Sequence, residues 1–190
     1  MQPLYYDIGL NLFTRSFPDP EKIFADAAEA GICCILTGSE ARENRLVSDF
    51  VKTHDAYGTA GIHPHAADEA TLADIDEIRQ IITRNDRVVA VGETGLDYDH
   101  MYSKKENQQF YFSRLIELAE ELHKPMFLHE RDAADDFIAA FKGHEDLCSR
   151  SVVHCYTGDK ETLQRLLAMG FYIGITGWIC DERRGGPLQE

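Results

Sequence analysis

Apolar residues cluster in seven short runs, at residues 6–12, 33–37, 58–63, 88–96, 125–129, 151–156 and 171–176. Runs of this length, bounded by turn-forming residues, read as buried strands. Between them apolar positions recur every three to four residues, the spacing of one helix face. The punctuation agrees. Asp19 can cap a helix that begins at Pro20 and stops at Gly31. Further helices are predicted over 40–57, from Asp68 to about 84, over 104–123, over 132–142, and after Asp159 as far as Gly170. Gly58, Pro125 and Gly143 supply the stops.

Strands alternating with helices imply βαβ units and a parallel sheet. Neither a dinucleotide-binding nor a P-loop glycine motif is present to favour an open sheet. Polar residues of catalytic type recur instead at the C-terminal ends of many strands. That distribution suits an α/β fold of the TIM type, whose chemistry sits on the C-terminal rim of the barrel. Residues 1–190 read as one domain with seven of the eight strands. After Trp178 only a short polar stretch follows, so the eighth strand is expected to be missing from this sequence.

Hydrophobic residues make up 44% and charged residues 27%, the balance of a globular domain. No stretch nears the roughly 18 apolar residues of a membrane helix. The first seven residues carry neither a basic start nor an apolar signal core, so a cytoplasmic protein without membrane association is expected, with a monomer favoured for a complete barrel. The five cysteines form no C-x-x-C pair and read as reduced thiols. A net charge of −14 argues against a broad nucleic-acid-binding face. It leaves a nuclease open, because bound divalent ions can supply positive charge at one phosphate.

Three strand ends carry ligand-type side chains: Glu93, His129 and His154. One carboxylate and two imidazoles meeting at a barrel mouth make a divalent-metal site. Each histidine alone is more often simply hydrogen-bonded. His63 and His65, around Pro64, are candidates for substrate phosphate or for support of the metal, or are two solvated rings on a turn. Arg131 can grip a phosphate. Arg183 and Arg184 can too, although Asp181 and Glu182 beside them favour surface pairing. Asp97 or Asp99 can orient a ligand imidazole, or Asp97 can cap a turn. Tyr98, Tyr102 and Tyr156 can stack bases or pack loops.

Six motifs then stand together in order: Asp-Ile-Gly-Leu-Asn-Leu at 7–12, Gly-Ile-His-Pro-His at 61–65, Gly-Glu-Thr-Gly-Leu-Asp-Tyr at 92–98, Phe-Leu-His-Glu-Arg-Asp-Ala at 127–133, His-Cys-Tyr-Thr-Gly at 154–158 and Tyr-Ile-Gly-Ile-Thr-Gly-Trp at 172–178. The chain resembles the TatD family of deoxyribonucleases over essentially its whole length. The resemblance implies a barrel of the metallo-dependent hydrolase kind and a Mg2+-dependent 3′–5′ exonuclease, with Mn2+ or Zn2+ as alternative ions. It implies single-stranded DNA ends as substrate, RNA being a second candidate. It carries over Glu93, His129 and His154 as catalytic metal ligands. His63, His65, Arg131 and Asn11 are its substrate-side residues. Gly9 and Asn11 stand where many members have an H-x-H pair, and the family's eighth-strand aspartate is expected to be absent. A metal-dependent amidohydrolase acting on a small amide, ester or lactone, and a catalytically impaired homologue, remain the alternatives.

Overall fold

The computed structural model describes residues 3–181 and 185–189. Seven parallel strands pair in chain order: β1 (Tyr5–Leu10), β2 (Ile32–Leu36), β3 (Tyr57–Ala60), β4 (Val88–Asp97), β5 (Met126–Arg131), β6 (Val152–Val153) and β7 (Tyr172–Ile173). The sheet curls into a partial barrel of the TIM type. A cavity of about 620 Å³, lined by Tyr5, Tyr6, Gly9, His154 and Ile175 among others, lies between its two outer strands. The helices are α1 (Pro20–Glu29), α2 (Ala41–Thr53), α3 (Leu72–Arg84), α4 (Lys105–Glu121), α5 (Ala134–Ala140), α6 (Glu145–Cys148), α7 (Lys160–Ala168) and α8 (Gly186–Gln189).

β4 is the spine. Nine of its ten residues are buried, and its long ladder with β5 runs from Val91↔Met126 to Asp97↔Arg131. An apolar strand buried on both faces is what a parallel barrel requires. Outside it, α4 turns Phe112, Leu115, Ile116 and Ala119 inward. The rings of Phe112, Phe137, Phe141 and Phe171 meet in a buried cluster, one pair stacked and others edge-on or tilted. Aromatic clusters of this kind hold helices on a sheet by area burial and by edge-to-face contacts.

Helix starts follow the expected chemistry where a side chain caps them. Asp19 accepts the backbone N–H of Lys22 at 3.0 Å, and Asp159 that of Thr162 at 2.7 Å. Elsewhere the boundaries move for local reasons. The third helix opens after Thr71, not at Asp68, because the Asp74 carboxylate takes the Thr71 N–H and hydroxyl. Asp68 instead accepts from the Lys104 N–H and the Asn107 side chain. The second helix stops at Thr53 rather than 57: the His54 ring stacks flat on Phe50 and meets its carbonyl, and Tyr57 already belongs to β3. The expected helix over 132–142 shortens because Asp132 sits at φ +51°. The strand expected over 151–156 ends at Val153, and Cys155 at φ +48° turns the chain off the sheet.

β3 also ends early, at Ala60, because Asn44 from α2 takes over. This buried amide donates to the Gly61 carbonyl at 2.9 Å and accepts the Gly61 N–H at 3.1 Å. It therefore aims the segment that carries His63. Replacing Asn44 by Ala leaves both backbone groups without partners in a dry place, at about 1–3 kcal/mol for such a loss. Urea unfolding is expected to show a drop of this size with an unchanged slope. No measurable shift would mean that water substitutes for the amide.

Candidate metal centre on the barrel rim

Glu93 is delivered by the buried spine strand. Its N–H is tied to the Gly38 carbonyl at 2.7 Å, and its side chain is buried. Three ring nitrogens face one carboxylate oxygen, Oε1: His154 Nε2 at 2.6 Å, His129 Nδ1 at 3.2 Å and His63 Nε2 at 3.4 Å. These imidazoles come from three different strand ends, after β6, within β5 and after β3. Burial works against a charged Glu93, but the bonds from His129, His154 and His63 outweigh it and hold the carboxyl well below its usual range.

Asp97 closes the same strand. It is fully buried. Its Oδ1 accepts the N–H groups of Asp99 at 3.1 Å and His100 at 2.9 Å. Its Oδ2 meets His65 Nε2 at 2.6 Å, His100 Nδ1 at 2.8 Å and His129 Nε2 at 3.3 Å. Burial again opposes the charge, and the bonds from His129, from the His100 backbone and from His65 hold Asp97 far below the ordinary carboxylate range. Gln108 of α4 fixes this strand end from behind, accepting the Asp97 N–H at 2.8 Å and donating to its carbonyl at 3.0 Å.

His129 thus bridges two carboxylates, Glu93 through Nδ1 and Asp97 through Nε2. Burial lowers the pKa of this ring, but Asp97 and Glu93 together push it up to about 9. His65 goes the other way: burial lowers it, and its bond to Asp97 offsets this only in part. His63 is fixed differently. Its Nδ1 accepts the His65 N–H at 3.1 Å, so the ring proton resides on Nε2, facing Glu93.

The donor set fits a divalent cation. Three nitrogens crowd an oxygen with about two lone pairs, and a cation there would let His129 and His154 present lone pairs instead of competing with His63 to donate. The donor atoms of His63, Glu93 and His129 lie within 4.8 Å of one another. His154 is closer to Glu93 than either of those histidines. A second group, His65, Asp97 and His100, meets the same distance limit.

The other expected residues fall around this pair of carboxylates. Asn11 shares a cavity of about 500 Å³ with Thr14, Ser39, His63, His65 and Glu93. Arg131 lies on the rim but is tied by Nη1 to the Thr157 hydroxyl at 2.8 Å and by Nε to Asp99 at 3.2 Å. Asp99 thus pairs with that arginine and, at 3.8 Å, with the His100 ring, while the brace behind His129 is Asp97. Tyr156 is buried, its hydroxyl donating to the Asp159 carbonyl at 2.5 Å, so it packs its loop and offers no face to a base. Tyr98 is likewise pinned, donating to Asp136 at 2.9 Å under a Lys105 cation. Tyr102 stays exposed beside the His65 and His100 rings. Arg183 and Arg184 lie outside the described residues. Two contributors were not foreseen from the sequence. The spacing Asp97-x-x-His100 at a strand end held a signal, since an aspartate turn naturally returns the third residue. The role of Gln108 had none, being a mid-helix glutamine that meets β4 only in three dimensions.

Comparison with known proteins adds an independent observation. The family described as TatD related DNase matches residues 6–187. A protein from Pantoea sp. (strain At-9b) named 3′-5′ ssDNA/RNA exonuclease TatD is 40% identical over 189 residues, covering 97% of this chain and 72% of its own length. The crystal structure of YJJV, a TatD homolog from Escherichia coli K12, superposes with a TM-score of 0.87 at 27% identity, over 96% of this chain and 72% of that one. An uncharacterized amidohydrolase from Saccharomyces cerevisiae superposes at 0.77 with 26% identity, over 91% and 68%. No helix among the described residues is long and apolar enough to cross a membrane.

Proposed function

This chain belongs to the TatD-related DNase family, and from that premise we infer that its rim hydrolyses phosphodiester bonds at the ends of single-stranded DNA with a divalent cation bound at Glu93. RNA is a second candidate substrate, by the name that its relative bears. The single observation that carries the reading is the convergence of three imidazoles from three strand ends on one buried carboxylate oxygen.

Glu93, His129 and His154 would hold the ion. When bound, it supplies a Lewis acid for the phosphoryl oxygen and lowers the pKa of a coordinated water. The side chains divide the remaining work. Asp97 accepts the His129 Nε2 proton and so leaves Nδ1 as the ligand nitrogen, an arrangement common behind ligand histidines. His63 cannot readily serve as a ligand through Nε2, because that nitrogen carries the proton; it is instead a donor to a phosphate oxygen. His65 and Asn11 line the opening beside Glu93 and orient the strand end, and Arg131 joins them after exchanging Asp99 for phosphate. Mg2+ is proposed on family grounds, and an imidazole-rich set suits Mn2+ and Zn2+ at least as well.

The test is cleavage of a 5′-labelled single-stranded oligonucleotide with Mg2+, Mn2+ or Zn2+, run beside a small ester. Stepwise shortening that stops with EDTA and returns with added metal is expected, and His129→Ala is expected to abolish it. Undiminished cleavage by His129→Ala would sink the assignment. Turnover of the ester alone would move the chain to the amidohydrolase class.

A further inference from the structure

The second group of donors, His65, Asp97 and His100, does more than the chemistry above uses: Asp97 braces His129 and His65 borders the substrate opening, but their convergence with His100 is left without a task. Its geometry is that of a site. Five donors converge on the Asp97 carboxylate: two backbone N–H groups on Oδ1 and three imidazole nitrogens on Oδ2. An ionised carboxylate offers about four lone-pair positions, two on each oxygen. The backbone groups fill Oδ1. The His129 N–H takes one position on Oδ2. His65 Nε2 and His100 Nδ1 are then both aimed at the one that is left.

We propose that His65 Nε2, Asp97 Oδ2 and His100 Nδ1 form a second cation site, which takes a borderline transition-metal ion of the Zn2+ class. A cation resolves the crowding. It occupies the remaining Oδ2 position and receives a lone pair from each ring, where otherwise two N–H groups contend for one acceptor. The three donor atoms lie within 4.8 Å of one another, so a small rotation of two rings brings each to the roughly 2.0–2.2 Å that such an ion needs.

Two imidazoles and one carboxylate are the ligand types that such ions favour over Mg2+. Asp97 is fully buried while the His65 and His100 side chains are 34% and 44% exposed, so the outward coordination positions face solvent and the rim. Tyr102, exposed and 4.7 Å from the His65 ring centre, walls one side. His129 stands between this site and Glu93, joined to both carboxylates. A second positive charge would therefore sit on the same rim as the proposed phosphate path, which this strongly acidic chain otherwise lacks.

Metal binding is read directly, so the test does not depend on nuclease activity. The full chain is titrated with Co2+, followed by its visible absorption, and with Zn2+ by calorimetry. The quantity of interest is the difference in tightly bound equivalents between the wild type and His100→Ala. His100 does not touch Glu93, so the loss of one equivalent is expected whether the wild type binds two ions or, should the Glu93 centre fail, only one. His65→Asn removes the opposite ligand and is expected to show the same loss. Circular dichroism confirms that each variant is folded. One equivalent lost in both variants supports the site. Retention of the full count in either overturns it.

Discussion

Alanine at Gly95 is expected to cost about 4 kcal/mol or more, the exceptional end of single substitutions. Gly95 sits at φ +149°, a backbone conformation that side chains rarely adopt. Its neighbour across the ladder is His129. A Cβ at Gly95 would lie 1.8 Å from the His129 carbonyl oxygen and 3.0 Å from its nitrogen. Both obstacles are backbone, so neither can rotate away, and β4 and β5 must separate at the point that presents His129 between Glu93 and Asp97. Gly143 provides the control. It too has a positive φ, +88°, but nothing lies within 4 Å of its absent side chain. Gly143→Ala should therefore cost only the left-handed backbone penalty of about 1–2 kcal/mol. Urea denaturation of the two variants separates steric from conformational cost. Equal losses in the two would refute the close approach, and a well-folded Gly95→Ala protein with wild-type metal affinity would refute its importance to the site.

Glu93→Gln is expected to lower metal-dependent cleavage of single-stranded DNA by on the order of 10³-fold or more, the scale of removing a charge-stabilising group from a dry site. The amide keeps the shape of the side chain and can still accept from one imidazole. It removes the negative charge on which His63, His129 and His154 converge. The loss should appear in kcat and in metal affinity together, while the far-ultraviolet dichroism stays native. The neighbouring carboxylate is not a substitute, because Asp97 is already surrounded by its own donors. A variant that keeps more than a tenth of wild-type activity at saturating metal would remove Glu93 from the centre of the mechanism.

Much of the architecture was legible in the sequence because its signals are local. Seven apolar runs became the seven strands, and Asp19 and Asp159 cap the helices they were expected to cap. Glu93, His129 and His154 could be singled out by their common depth at strand ends. Boundaries failed where a distant partner decided them. Asn44 ends β3, and Asp68 is drawn away to the start of α4. Nothing in a window of ten residues records such contacts.

By itself, then, the order of apolar runs and of helix-capping residues determined a parallel α/β chain and its set of rim-facing polar groups, since periodicity and capping act over a few residues. The tertiary structure alone decided who shares each carboxylate. It set His63 beside the expected trio at Glu93, gave Asp97 the imidazoles of His65 and His129, and tied Arg131 to Asp99. The physical reason is that hydrogen bonds and charge pairs form between groups separated by 30 residues or more, and only the curl of the sheet brings them within 4 Å.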